Sequence, residues 1–98
     1  MPDFILFMHD DARETRAEAN WPAYFAKLNA TGAFQGGSEI GGGVCVRKDG
    51  ASVAIAGHLG GFIRIEARNL EHAQTLLAGN PVYEAGGTVE IRELPKSD

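Results

Sequence analysis

Two hydrophobic periods run along this chain, and its last third shows both. In Phe62-Ile63-Arg64-Ile65-Glu66-Ala67, Ile63 and Ile65 fall on one side while Phe62, Arg64 and Glu66 fall on the other. That period of two predicts a half-buried strand. Asn69 then offers an N-cap, and Leu70, Ala73 and Leu77 share one face at helical spacing, with Leu76 at its margin. Gly79 predicts the stop, and residues 80–85 are read as a loop. From Gly87 to Leu94 the alternation returns, with Val89 and Ile91 opposing Thr88, Glu90 and Arg92.

The first half repeats the scheme less clearly. Phe4 to His9 is a short apolar run, apolar on both faces, which predicts a central strand. A polar connection, HDDARETRAEAN, follows, with room for a single helical turn. Asn20 and Pro22 suit the start of a helix, and Trp21, Phe25 and Leu28 form its expected buried stripe, ending at Gly32. Glycines interrupt the next stretch. Val44 to Arg47 is strand-like, Lys48-Asp49-Gly50 is a turn signal, and Ser52 to Ala56 is expected to return as a short strand.

The order is that of an α+β chain, a ferredoxin-like βαββαβ sandwich with two helices on one face of an antiparallel sheet. It predicts a single domain over residues 1–98. Two helices cover only one sheet face, and Ile63, Ile65, Val89 and Ile91 are expected to meet them. The other face then carries Phe62, Arg64, Glu66, Glu90 and Arg92 beside apolar side chains of the first strand. Such a face is too apolar to stay wet and too charged for a dry core. A homodimer closing on it around a partly polar cavity resolves the conflict, since C2 pairing is the commonest closure.

Composition narrows the function classes. A hydrophobic share of 44% and a charged share of 22% suit a globular core. The net charge of −4, with scattered basic residues, argues against nucleic acid, which demands a basic face. The single Cys45 excludes an intramolecular disulfide and a cysteine-only zinc site, and it reads as a small hydrophobe between two valines. No apolar run approaches the ~18–20 residues of a membrane span, and MPDFILFMHDD lacks the basic start of a signal peptide, so a cytoplasmic location is expected.

Candidate chemistry is sparse. His9-Asp10-Asp11 delivers an imidazole and two carboxylates to a strand end, the components of a general base with its orienting acid. His9 and Asp10 are the candidate catalytic residues; the competing reading is a strand ending in solvated turn residues, because neighbours on a strand face opposite ways. The partner carboxylate could be Asp10, Asp11 or Glu39. Arg64 is a candidate anchor for an anionic ligand, or else a cross-strand partner of Glu90 or Glu66. Ser38 and Glu39 are candidates for a pocket mouth and Tyr24 for its edge, while Trp21 is expected in the core. Gly36, Gly37, Gly41, Gly42 and Gly43 fit no phosphate-loop spacing and are read as bulges or a flexible arm. His9, His58 and His72 show no ligand spacing, so neither a metal nor a cofactor is expected.

Three segments carry a resemblance. His58 to Ala67 (HLGGFIRIEA), Asn69 to Ala73 (NLEHA) and Gly86 to Arg92 (GGTVEIR) are similar to the C-terminal half of the YCII-related (DGPF) domain, and LNATGAFQGGSEI resembles its helix end and first hairpin strand. The resemblance implies a dimeric α+β barrel of ferredoxin-like subunits. Two departures stand beside it. Ala51 to Gly57 is too short to hold the DGPF segment, and the His of the His–Asp pair proposed for some relatives opens the first helix, whereas His9 ends a strand. The expected function is a small dimeric module binding a small molecule at the sheet face, with weak acid–base catalysis through His9. The alternatives are a non-catalytic structural or interaction module and a subunit of a larger assembly.

Overall fold

The computed structural model describes residues 1–12 and 20–95. Its strands are β1 (Asp3–His9), β2 (Phe34–Glu39), β3 (Leu59–Glu66) and β4 (Val89–Leu94). Its helices are α1 (Trp21–Ala30), α2 (Leu70–Thr75) and α3 (Pro81–Glu84). The strands form one sheet in the order β2-β3-β1-β4, with every neighbouring pair antiparallel. This is the ferredoxin-like arrangement, and β1 is central as its apolarity required.

Local chemistry accounts for the helices. Pro22 sits in the first turn of α1, where its missing N–H has no intrahelical acceptor to lose. Gly32, at φ 74°, supplies the left-handed turn that ends the segment. Asn69 caps α2 by accepting from the His72 amide at 2.8 Å. Asn80, fully buried, does the same for α3, accepting from Val82 and Tyr83. The Asn-Pro pair starts this short third helix where the pattern predicted a loop; four residues are too few to show a helical period.

The expected hairpin strands at Val44 to Arg47 and Ser52 to Ala56 do not form. Residues 41–58 make an irregular arm held by side-chain bonds, Cys45 Sγ to Ala54 O and Arg47 to Ala51 O, both 3.5 Å. A lone two-stranded ribbon has no layer on which to bury its apolar face. Val44, Val46, Val53 and Ile55 accordingly stay exposed.

The stripe of α1 is also rotated from its expected position. Tyr24 and Leu28 are the fully buried residues, and Trp21 and Phe25 are only half-buried. Tyr24 donates from its hydroxyl to the Leu76 carbonyl at 2.9 Å, so a polar tip is satisfied inside the core. Burial pushes its phenol pKa up, partly offset by the Asn80 amide. Lys27 donates to the Ala78 carbonyl at 2.6 Å and ties α1 to the turn after α2.

The sheet face under the helices reads as three rows. Phe34, Ile65 and Phe4 stand in register, then Gly37, Ile63, Leu6 and Ile91, then Glu39, Gly61, Met8 and Val89. The first two rows supply most of what the strands give to the core, with Phe4, Leu6, Ile63 and Ile65 buried. In the third, glycine and glutamate replace the large apolar side chains on β3 and β2. The opposite face carries Ile5, Phe7 and Phe62, all half-buried, among Arg64, Glu66, Glu90 and Arg92, as the alternation required.

Candidate functional site

The hollow third row opens into a cavity of about 610 Å³ at the end of the sheet. Met8, Gly61 and Ile63 form part of its floor, and Trp21, Phe25 and Val82 part of its wall. Trp21 and Phe25 stack with centroids 5.4 Å apart and planes 25° from parallel, and Phe25 meets Phe34 at 5.2 Å. Ring packing of this kind adds ~0.5–1.5 kcal/mol beyond the area buried and holds the wall rigid. At Gly37 a Cβ would lie 2.5 Å from the Phe62 carbonyl oxygen, so this part of the wall must remain without a side chain.

The polar lining comes from the strand ends: His9 closing β1 and Asp10 just after it, and Ser38 and Glu39 at the end of β2. Two acidic residues and a histidine border the space, and no arginine or lysine joins them among the described residues.

His9 is half-buried, and its Nε2 lies 2.9 Å from Glu90 Oε1. The pair is diagonal: Glu90 is in register with Phe7, two residues before His9 on the same face of the sheet. Glu90 also accepts from Arg92 at 3.2 Å. The hydrogen bond from His9, then that from Arg92, holds the Glu90 carboxyl below the usual carboxylate range. An ionised carboxylate only accepts, so Nε2 carries the proton in the neutral ring and Nδ1 keeps a free lone pair. His58 stands edge-on to His9, with ring centroids 4.7 Å apart.

Backbone bonds lock this corner. The His9 amide donates to Thr88 O at 2.9 Å and the Asp10 amide to His58 O at 2.6 Å. Asp11 accepts from the Thr88 amide and from the Thr88 hydroxyl, both at 2.8 Å. Those two bonds pull the Asp11 pKa down. The carboxylate against His9 is therefore Glu90, while Asp11 serves the turn and Asp10 lies on the cavity rim. From the sequence, Glu90 reads as a cross-strand partner of Arg64 or as a structural or rim residue. The signal that pairs it with His9 is the antiparallel register of β1 with β4.

The other candidates divide. Ser38 and Glu39 are among the residues that line the cavity. Arg64 is exposed on the open face, in register with Ile5 and Gly36, and β1 separates its strand from Glu90. Tyr24 lies in the core beside a second recess of about 290 Å³, shared with Asn20, Lys27 and Glu84. Trp21, expected in the core, lines the main cavity instead.

Comparison with known proteins matches the profile of the YCII-related domain to residues 3–96. The chain belongs to the YCII-related domain family. Among solved structures, this YCII-related chain is similar to 5-chloro-2-hydroxyhydroquinone dehydrochlorinase (TftG) from Burkholderia phenoliruptrix AC1100, in complex with 2,5-dihydroxybenzoquinone. The two are 18% identical and superpose with a TM-score of 0.58 over 97% of this chain and 95% of that one. That likeness establishes the shared fold. No curated protein matches the sequence. No helix among the described residues of this YCII-related domain is long and apolar enough to cross a membrane.

Proposed function

We propose that this YCII-related domain binds a small, flat organic molecule of the hydroxylated-aromatic or quinone class, and that His9 exchanges a proton with a hydroxyl of that ligand. The observation that carries the reading is the cavity itself. Its volume lies in the range of small-molecule sites, a stacked Trp21–Phe25 pair walls one side, and His9 stands on the rim. The rim carboxylates suit a ligand that donates hydrogen bonds to Asp10 and Glu39. With Glu90 ionised and bonded to Nε2, Nδ1 is the basic atom of His9. A proton taken there leaves an imidazolium that Glu90 stabilises. The likeness to a protein solved with 2,5-dihydroxybenzoquinone supports the ligand class.

The proposal includes a homodimer. Ile5, Phe7 and Phe62 form an apolar centre on the sheet face that the helices leave open, ringed by Arg64, Glu66, Glu90 and Arg92. A second copy is the partner whose face matches by symmetry. Sedimentation at micromolar concentration should give twice the chain mass, and a clean monomer would reject the pairing. A second reading, an interaction module, rests on the exposed Val44, Val46, Val53 and Ile55 of the arm.

Trp21 is the only tryptophan, so its fluorescence reports on the cavity directly. Titration with hydroquinone, catechol and 2,5-dihydroxybenzoquinone should give saturable quenching, and Phe25→Ala should weaken it. Glu90→Gln should leave binding in place and abolish the preference for the Nε2–H tautomer, read from ring ¹⁵N shifts of His9. Failure of all three compounds to quench saturably at millimolar concentration would reject the ligand class.

A further inference from the structure

The most concentrated set of metal-ligating side chains among the described residues is His9, His58 and Glu90. One donor atom from each lies within 4.8 Å of the others. Two imidazoles and a carboxylate form the donor set that zinc and its neighbours prefer, and three protein ligands with further positions open is the pattern of a reactive rather than a structural site. We propose that these three side chains bind one zinc-class divalent ion.

Three observations converge on the site. The first is geometry. At bond lengths of about 2.0–2.2 Å, donors of a four-coordinate zinc site stand about 3.3–3.5 Å apart. The His9 Nε2 to Glu90 Oε1 separation of 2.9 Å is slightly tighter, and the 4.8 Å bound on the set is slightly wider. Rotamer adjustment of the exposed His58 covers the difference.

The second is rigidity. The donors come from three distant segments, yet backbone bonds join those segments beside the donors: Asp10 N to His58 O and His9 N to Thr88 O. Asp11 fastens the third segment through both of its bonds to Thr88. The donors are thus positioned before any ion arrives, which lowers the cost of assembling them. The third is support outside the ligand set. Arg92 holds the far oxygen of Glu90 at 3.2 Å, leaving Oε1 on the side of His9.

The metal site itself needs only the three donors and does not depend on the ligand class proposed for the cavity.

The test uses the untagged full chain and zinc chloride alone, followed by calorimetry, with cobalt absorption as a second readout. The wild type should take up one ion per chain. His58→Ala should weaken binding at least about tenfold. His58 is exposed, so thermal unfolding in chelator should be unchanged and loss of fold is separated from loss of site. His72→Ala is the control, because His72, on α2, has its Nδ1 engaged by the amide of Arg68, which precedes that helix. Equal binding by the wild type and His58→Ala, or no saturable binding by the wild type, would overturn the site. Failure of every aromatic probe would leave the zinc result independent.

Discussion

At one end of the sheet, Phe4, Ile65 and Phe34 stand side by side under the helices; at the other, the matching row is Met8, Gly61 and Glu39. The same four strands run between them, with one register shift in β2 between Phe34 and Gly36. The first end is filled, with Phe4 and Ile65 almost wholly excluded from solvent. The second holds a cavity of about 610 Å³. The difference arises from β3 and β2, where Gly61 and Glu39 replace bulky apolar residues, and from α1, whose first turn places Trp21 and Phe25 over the gap. A β-sheet thus acquires a pocket without changing its backbone plan. It is enough to withhold side chains from one row and to roof that row with aromatics.

The largest effect expected from this contrast is on stability. Leu6 is fully buried in the filled rows, so Leu6→Ala should cost about 2–5 kcal/mol. Met8→Ala enlarges a space that is already open, and it should cost at least about 1 kcal/mol less than Leu6→Ala. Urea unfolding of both variants checks the pair. Equal costs would mean that the hollow end is packed as tightly as the other.

Tyr24 sharpens the contrast from the helix side. Tyr24→Phe leaves the buried Leu76 carbonyl without its hydroxyl donor, at an expected cost of about 1–3 kcal/mol. The sign with pH follows from the raised phenol pKa. The neutral form is favoured in the folded chain, so stability should fall as pH rises above the ordinary value of 10.0, and Tyr24→Phe should flatten that fall. Denaturation at several alkaline pH values checks both. A steep alkaline loss that survives Tyr24→Phe would remove this residue as its cause.

The smallest effect concerns the corner that carries His9. Asp11 has its pKa lowered by the Thr88 bonds, and Glu90 by His9 and then Arg92. A lowered folded-state pKa gives stability that is present above the ordinary carboxylate value and lost as pH falls through the depressed one. Asp11→Asn should therefore be slightly less stable than the wild type near neutrality, and the gap should close in acid. Circular dichroism during acid titration measures it; a gap that persists at the lowest pH would assign the effect to the turn rather than to the charge.

Much of the fold was legible because its signals are local. The alternation at Phe62 to Ala67 and Gly87 to Leu94 placed two strands and both of their faces correctly, and Asn69 marked α2 through a cap that forms. Where the signal was short or lacked a partner, reading failed. The Asn80-Pro81 helix is only one turn long, and the arm at 41–58 has strand-like valines with no sheet beside them. The stripe of α1 was misplaced because Tyr24 satisfies its hydroxyl with Leu76, far along the chain, and so can be buried in place of Trp21.

The sequence by itself determined the βαββαβ order, the central place of β1, the apolar-plus-charged open face, and the place of His9 at a strand end. These follow from periods of two and of three to four residues and from single capping or turn residues, all readable within a few positions. Only the tertiary structure decided that Glu90, and neither Asp10 nor Asp11, holds His9, that His58 stands against the same ring, and that Gly61 and Glu39 leave the row beside Met8 hollow. Each depends on which residues of separate strands fall in register. That choice is made by the global fit of the sheet and its helices, and no local stretch of the chain encodes it.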